Sequence, residues 1–200
     1  MKLALFTAAI GMVFVSTWTA DAPAQSVTRA YTKFDSKRCI HKAGTEEEDY
    51  GSWRCKGHDG IAVYLSAGDQ RMQVSFGRKA ADEPAASQTF PAFNDVYEGT
   101  IEWRLEQQAK GKPKAFATIL RWNIMTAPDA RTTTGRVLVV TRLGPGGVCQ
   151  VGYVDARANP DANALAQQLA DEEARKFQCG KDKPITRGKV SPGLNMPDGS

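Results

Sequence analysis

Two histidines and four cysteines in 200 residues leave little material for metal or nucleophilic chemistry. The sequence has no Gly-x-Ser-x-Gly elbow and no His-Glu-x-x-His pair, so the familiar hydrolase and metalloprotease signatures are missing. It has no basic stretch with interleaved aromatics, which removes nucleic acid as a partner class. Lys and Arg total 26 against 22 for Asp and Glu, a net charge of only +4. Beyond the opening segment, no apolar run reaches the roughly 20 residues that a transmembrane helix needs.

The opening segment reads as an address. Met1-Lys2 gives a short positive start, Leu3 to Val15 is almost wholly apolar, and Ala22-Pro23-Ala24 has the small-x-small spacing of a signal-peptidase site. This order predicts a signal peptide over 1–24, cleaved near Ala24, and a periplasmic or secreted chain starting near Gln25. No cysteine sits at the cleavage position, since Cys39 is the first, so no lipid anchor is expected. About 176 residues then remain, a length suited to one domain with a real core.

Four cysteines in an exported chain predict two disulfides. Of the three connectivities, Cys39–Cys55 and Cys149–Cys179 each close a local loop, and each would stabilise by about 3–4 kcal/mol in the chain-entropy account. The same residues allow another reading. Cys39-x-His41 and Cys55-x-x-His58 place both histidines beside cysteines, and two thiolates with two imidazoles can bind zinc or copper. Oxidising conditions favour the disulfide, with His41 and His58 as solvent-exposed neighbours. The carboxylates of Glu46 to Asp49 lack the spacing of a calcium loop and read as a solvated acidic turn. No pattern implies a cofactor.

Period-two alternation marks most of the strands. Ile61 to Leu65 and Met72 to Phe76 flank a Gly-containing turn and read as a hairpin. Thr100 to Glu106 is the cleanest strand. Ile101, Trp103 and Leu105 point to the core, and Glu102, Arg104 and Glu106 point to water, as in an antiparallel sheet with one wet face. After Lys110-Gly111-Lys112-Pro113 the chain returns over Ala115 to Ile124, with Phe116, Leu120, Trp122 and Ile124 on one face. Val137 to Val140 and Val148 to Val154 flank Gly144-Pro145-Gly146-Gly147 as a third hairpin. A first strand is expected over Thr28 to Phe34. The stretch from Cys39 to Gly60 reads as winding chain. Residues 78–98 read as a loop whose Phe90 and Phe93 plug a sheet edge or meet a partner.

A helix is predicted from Pro160 to Phe177. Asn159 suits the N-cap, Pro160 the first turn, and Gly180 the left-handed exit. Ala162, Leu165, Ala166, Leu169, Ala170, Ala174 and Phe177 form its apolar stripe. Residues 181–200 have no periodicity and carry Lys181, Lys183, Arg187 and Lys189, so a disordered basic tail is expected. The whole predicts a single α+β domain over 25–180. Its mainly antiparallel sheet has about six strands in three hairpins, with the C-terminal helix packed on one face and two disulfides as staples.

Tyr50-Gly51-Ser52-Trp53-Arg54-Cys55, Phe93-Asn94 followed by Thr100-Ile101-Glu102-Trp103-Arg104, and Thr118-Ile119-Leu120-Arg121-Trp122 resemble segments of small exported bacterial proteins of unassigned function. That resemblance implies no activity and no site residues. The function expected from the residues is a non-enzymatic envelope protein that binds a protein or glycan partner, a hydrolase inhibitor belonging to this class. Contact would run through the sheet face of Glu102, Arg104 and Arg121 or through the long loops at 78–98, with Phe90 and Phe93, and at 125–135. A metal-binding protein using His41 and His58, and a hydrolase with a dispersed site, are the alternatives.

Overall fold

A computed structural model of the chain describes residues 26–44, 50–96, 99–125 and 135–198. The expected signal peptide, the acidic turn at Glu46 to Asp49 and most of the connection at 125–135 lie outside these residues.

In chain order the strands are β1 (Val27–Lys33), β2 (Ile40–Ala43), β3 (Tyr50–Lys56), β4 (Ala62–Gly68), β5 (Arg71–Phe76), β6 (Phe93–Asp95), β7 (Thr100–Glu106), β8 (Lys114–Met125), β9 (Gly135–Arg142) and β10 (Cys149–Asp155). Helix α1 (Ala162–Glu173) and a last short strand, β11 (Ile185–Thr186), complete the order. The α+β class, the antiparallel hairpins and both disulfides, Cys39–Cys55 and Cys149–Cys179, agree with the sequence reading. The strands divide between two sheets rather than one. The larger runs β1-β7-β8-β9-β10-β11, with β6 on the far half of β8; the smaller runs β2-β3-β4-β5.

Alternation along the strands explains the layering. Trp103, Leu120, Trp122, Val137, Val139 and Tyr153 share one core cluster with Val63, Leu65, Val74 and Phe76 of the smaller sheet. Ala117, Ile119, Leu138, Val140 and Val154 face the other way and share a second cluster with Ala166, Leu169, Ala170 and Phe177 of the helical segment. The larger sheet is therefore covered on both sides, by a sheet and by a helix.

Four further sequence expectations need correction. Phe116 does not join Leu120 and Trp122. The pairing steps from Arg104↔Ala117 to Leu105↔Ala115, so Phe116 is the extra residue of a β-bulge and turns to the helix side. The winding stretch after Cys39 holds the β2–β3 hairpin, which extends the smaller sheet. All four residues of β2 are exposed, so no alternation marks it. Asn159 is not a side-chain cap. Its amide donates to the carbonyls of Asp155 and Lys189 and accepts from the Lys189 N–H.

The fourth correction is the tail. Residues 181–198 fold back along β10, with Ile185 beside Gly152 and Thr186 beside Tyr153 in parallel pairing. A side chain at position 152 would collide with the Ile185 carbonyl, so the close approach requires glycine. Leu194 enters the core. The fully buried Asp155 carboxylate accepts N–H bonds from Ser191 at 2.7 Å, Arg157 at 2.8 Å and Ala158 at 3.3 Å. Burial pushes this carboxyl up, but the bonds from Ser191, Arg157 and Ala158 outweigh it and hold its pKa below the ordinary value. A depressed carboxyl pKa adds stability that is complete above the unfolded value of about 3.9 and is lost as pH falls through the lower folded value. The tail is therefore predicted to stay docked at pH 5. At neutral pH, Asp155→Asn should speed amide exchange at Lys189 and Ser191 by about tenfold or more, a loss of ~1.4 kcal/mol or more within the range for a broken buried hydrogen bond. Unchanged exchange would show that Asp155 does not hold the tail.

Candidate functional site

The site follows from how α1 sits on the sheet. Small residues at 162, 166, 170 and 174 bring the helix close to β9 and β10. Its flank reaches β7 through a polar ladder. Gln167 Nε2 donates to Glu102 at 3.2 Å, Arg104 donates twice to Asp171 at 2.9 and 2.6 Å, and Arg175 Nε donates to Glu106 at 2.5 Å. Arg104 also reaches Glu102 at 2.9 Å. The Arg175 guanidinium lies 3.7 Å from the Phe116 ring centre, a cation–π contact. The expected wet face of β7 is thus covered, and Arg104 is 7% exposed. Burial acts against its charge, but the bonds and fields of Asp171 and Glu102 hold its pKa above the ordinary value.

Beyond the first turns of α1 the sheet face stays open. A groove of about 550 Å³ lies there, floored by Ile119 and Leu138 and walled by Asn163 and Gln167 of the helix. Three arginines line it: Arg29 from β1, Arg121 from β8 and Arg136 from β9. Strand register brings them together. Arg121 stands beside Leu138, Asn123 beside Arg136, and Tyr31 beside Glu102, which in turn pairs with Ile119. All three arginines are exposed. Among the described residues none of them has a carboxylate within ion-pair distance. Among the described residues Glu102 is the one lining carboxylate. It already accepts from Arg104, Gln167 and, at 3.4 Å, the Tyr31 hydroxyl. The groove is a cationic concavity set with flat polar side chains.

Of the five residues proposed from sequence for partner contact, Glu102 and Arg121 line this groove. Arg104 does not, being enclosed under the helix. Phe90 is 0% exposed and packs on Trp122 and Tyr153 with ring centres 5.5 and 5.6 Å away, so it fills the core. Phe93 is half-buried on β6, opposite Met125. Arg29, Tyr31, Arg136, Asn163 and Gln167 were not singled out. The odd-numbered positions of Val27 to Lys33 carry the signal for the first two, because alternation places Arg29 and Tyr31 on one face. Cys39 and Cys55 are bonded to each other, so they offer no thiolate pair to a metal. His41 stacks on Trp53 at 4.8 Å, and His58 tilts toward Trp103 at 6.1 Å. Among the described residues no group of three or more His, Cys, Asp and Glu side chains is arranged to hold a metal ion.

Comparison with protein-family models, curated proteins and solved structures gives no match for this chain.

Groove and ladder should separate in urea unfolding. Arg121→Ala and Arg136→Ala are each expected to change stability by less than about 0.5 kcal/mol, as surface substitutions do. Arg104→Ala should cost about 3 kcal/mol, because it leaves two carboxylates together under the helix. Equal costs for the three variants would contradict this division.

Proposed function

We propose that this is an exported, non-enzymatic binding protein that takes an acidic segment of a cell-envelope glycan into the groove beside α1. The observation that carries the reading is the convergence of Arg29, Arg121 and Arg136 on one open polar hollow, with no carboxylate partner for any of them among the described residues. Arginine matches carboxylates and phosphates with two parallel hydrogen bonds. Asn123, Asn163, Gln167 and Tyr31 add flat donors and acceptors at fixed positions, which suits hydroxyl-rich ligands. The volume falls within the range of small-ligand sites.

A binding role fits the groove better than catalysis. Among the described residues its one carboxylate is Glu102, which already accepts from three donors and so is committed to binding rather than free as a general base. Export is supported by the two disulfides, which persist outside the reducing cytosol, and by the address-like opening of the sequence. No helix among the described residues is long and apolar enough to cross a membrane.

The test is equilibrium binding of the disulfide-bonded protein to a uronic-acid oligosaccharide, a neutral oligosaccharide of equal length and an oligoglutamate peptide. The acidic sugar should bind saturably, more weakly as salt rises, and at least tenfold more weakly to the Arg121→Ala/Arg136→Ala protein, a difference of about 1.4 kcal/mol. The neutral sugar should not compete. Tighter binding of oligoglutamate would replace the glycan with an acidic peptide. Binding that ignores the double substitution would remove the groove from the account.

A further inference from the structure

A second cationic hollow lies where α1 ends, apart from the groove, and one buried side chain in it has no counter-charge among the described residues. Arg142 closes β9, beside Ala117 on one side and Cys149 on the other. It is 7% exposed. One terminal nitrogen donates to the Pro145 carbonyl at 2.7 Å, while Nε is buried with no acceptor among the described residues. Among the described residues Arg142 makes no ion pair. A buried guanidinium in that condition is unusual, because burying a charge without compensation is strongly unfavourable.

Arg142 lines a cavity of about 300 Å³, together with Lys114, Arg175, Phe116, Glu106 and the Gly144-Pro145 turn. Among the described residues three cations therefore face one carboxylate, and that carboxylate is already bonded to Arg175. Lys114 stands exposed at the rim. We propose that this hollow is an oxyanion site, in which Arg142, Lys114 and Arg175 receive a carboxylate or phosphate group. Its occupant supplies the counter-charge that the described residues do not give Arg142. The volume admits one such group with a small substituent, not a polymer segment like that proposed for the groove.

The probes are acetate, inorganic phosphate and methyl phosphate, titrated into the isotopically labelled, disulfide-bonded protein at constant ionic strength with chloride as balance. The readouts are the Arg142 Nε–H resonance and the Gly146 and Gly147 amides. At least one probe should shift all three saturably with a single dissociation constant. Lys114→Glu, which alters only an exposed rim residue, should weaken that binding tenfold or more. The Arg121→Ala/Arg136→Ala protein should bind the same probe within twofold, so failure of the groove reading and failure of this one are distinguishable. Tighter acetate binding assigns a carboxylate ligand, and tighter methyl phosphate binding a phosphate ester. The proposal is overturned if none of the three shifts the Arg142 Nε–H saturably, or if Lys114→Glu leaves binding unchanged.

Discussion

The helix-to-strand ladder centred on Arg104 is the constraint from which the rest of the molecule follows. Residues 167, 171 and 175 meet residues 102, 104 and 106 in the same order. The match is metrical. Four residues of an α-helix advance about 6 Å, and two residues of a strand advance about 6.6–6.8 Å. Three successive helix turns can therefore address three successive side chains on one face of β7. A guanidinium enclosed at the middle rung cannot be left alone. Asp171 and Glu102 have to be there, and their presence fixes both the direction and the register of α1 over the sheet. Apolar packing beneath the helix favours burial but is tolerant of sliding; the ladder is not.

The two hollows follow from that seating. The helix has 12 residues and spans about 18 Å, while β8, also 12 residues, runs about 40 Å. A helix of that length, held in that register, leaves sheet face uncovered. Past its first turn, the positions that would otherwise be apolar are Arg29, Arg121, Asn123 and Arg136, so the open face is polar and positively charged. Past its last turn, the bulge at Phe116 and the turn after Arg142 enclose a smaller space. The disulfide from Cys149 to Cys179 ties the end of the helical segment to β10. The Asp155 and Asn159 contacts then draw the tail back along the same strand.

Much of this order was legible in the residues. The alternation of Ile101, Trp103 and Leu105, the stripe from Ala162 to Phe177 and the local spacing of the cysteines predicted the hairpins, the helix and both disulfides. What stayed hidden has physical causes. Charges on alternate positions of β7 read as solvent-facing because their partners lie some 65 residues away on the helix. The bulges at Phe116 and Val151 reverse side-chain parity, and composition does not mark them. Strand β2 is exposed along its whole length and so has no period. The tail is held by side chains that bind single backbone N–H groups, which leaves no repeating apolar signal. The groove draws on five separate elements, and only their register brings Arg29, Arg121 and Arg136 together. Phe90 had the composition of a contact residue, but the pocket between Trp122 and Tyr153 gives it a core position instead.

The most direct test of the seating is a double-mutant cycle in urea that combines Arg104→Met with Asp171→Leu. If the ladder sets the helix position, the pair is coupled by about 1–3 kcal/mol, and the double variant is more stable than the two single losses imply. Additivity within about 0.3 kcal/mol would mean that the two side chains do not depend on each other, and the helix would then be held by its apolar face alone.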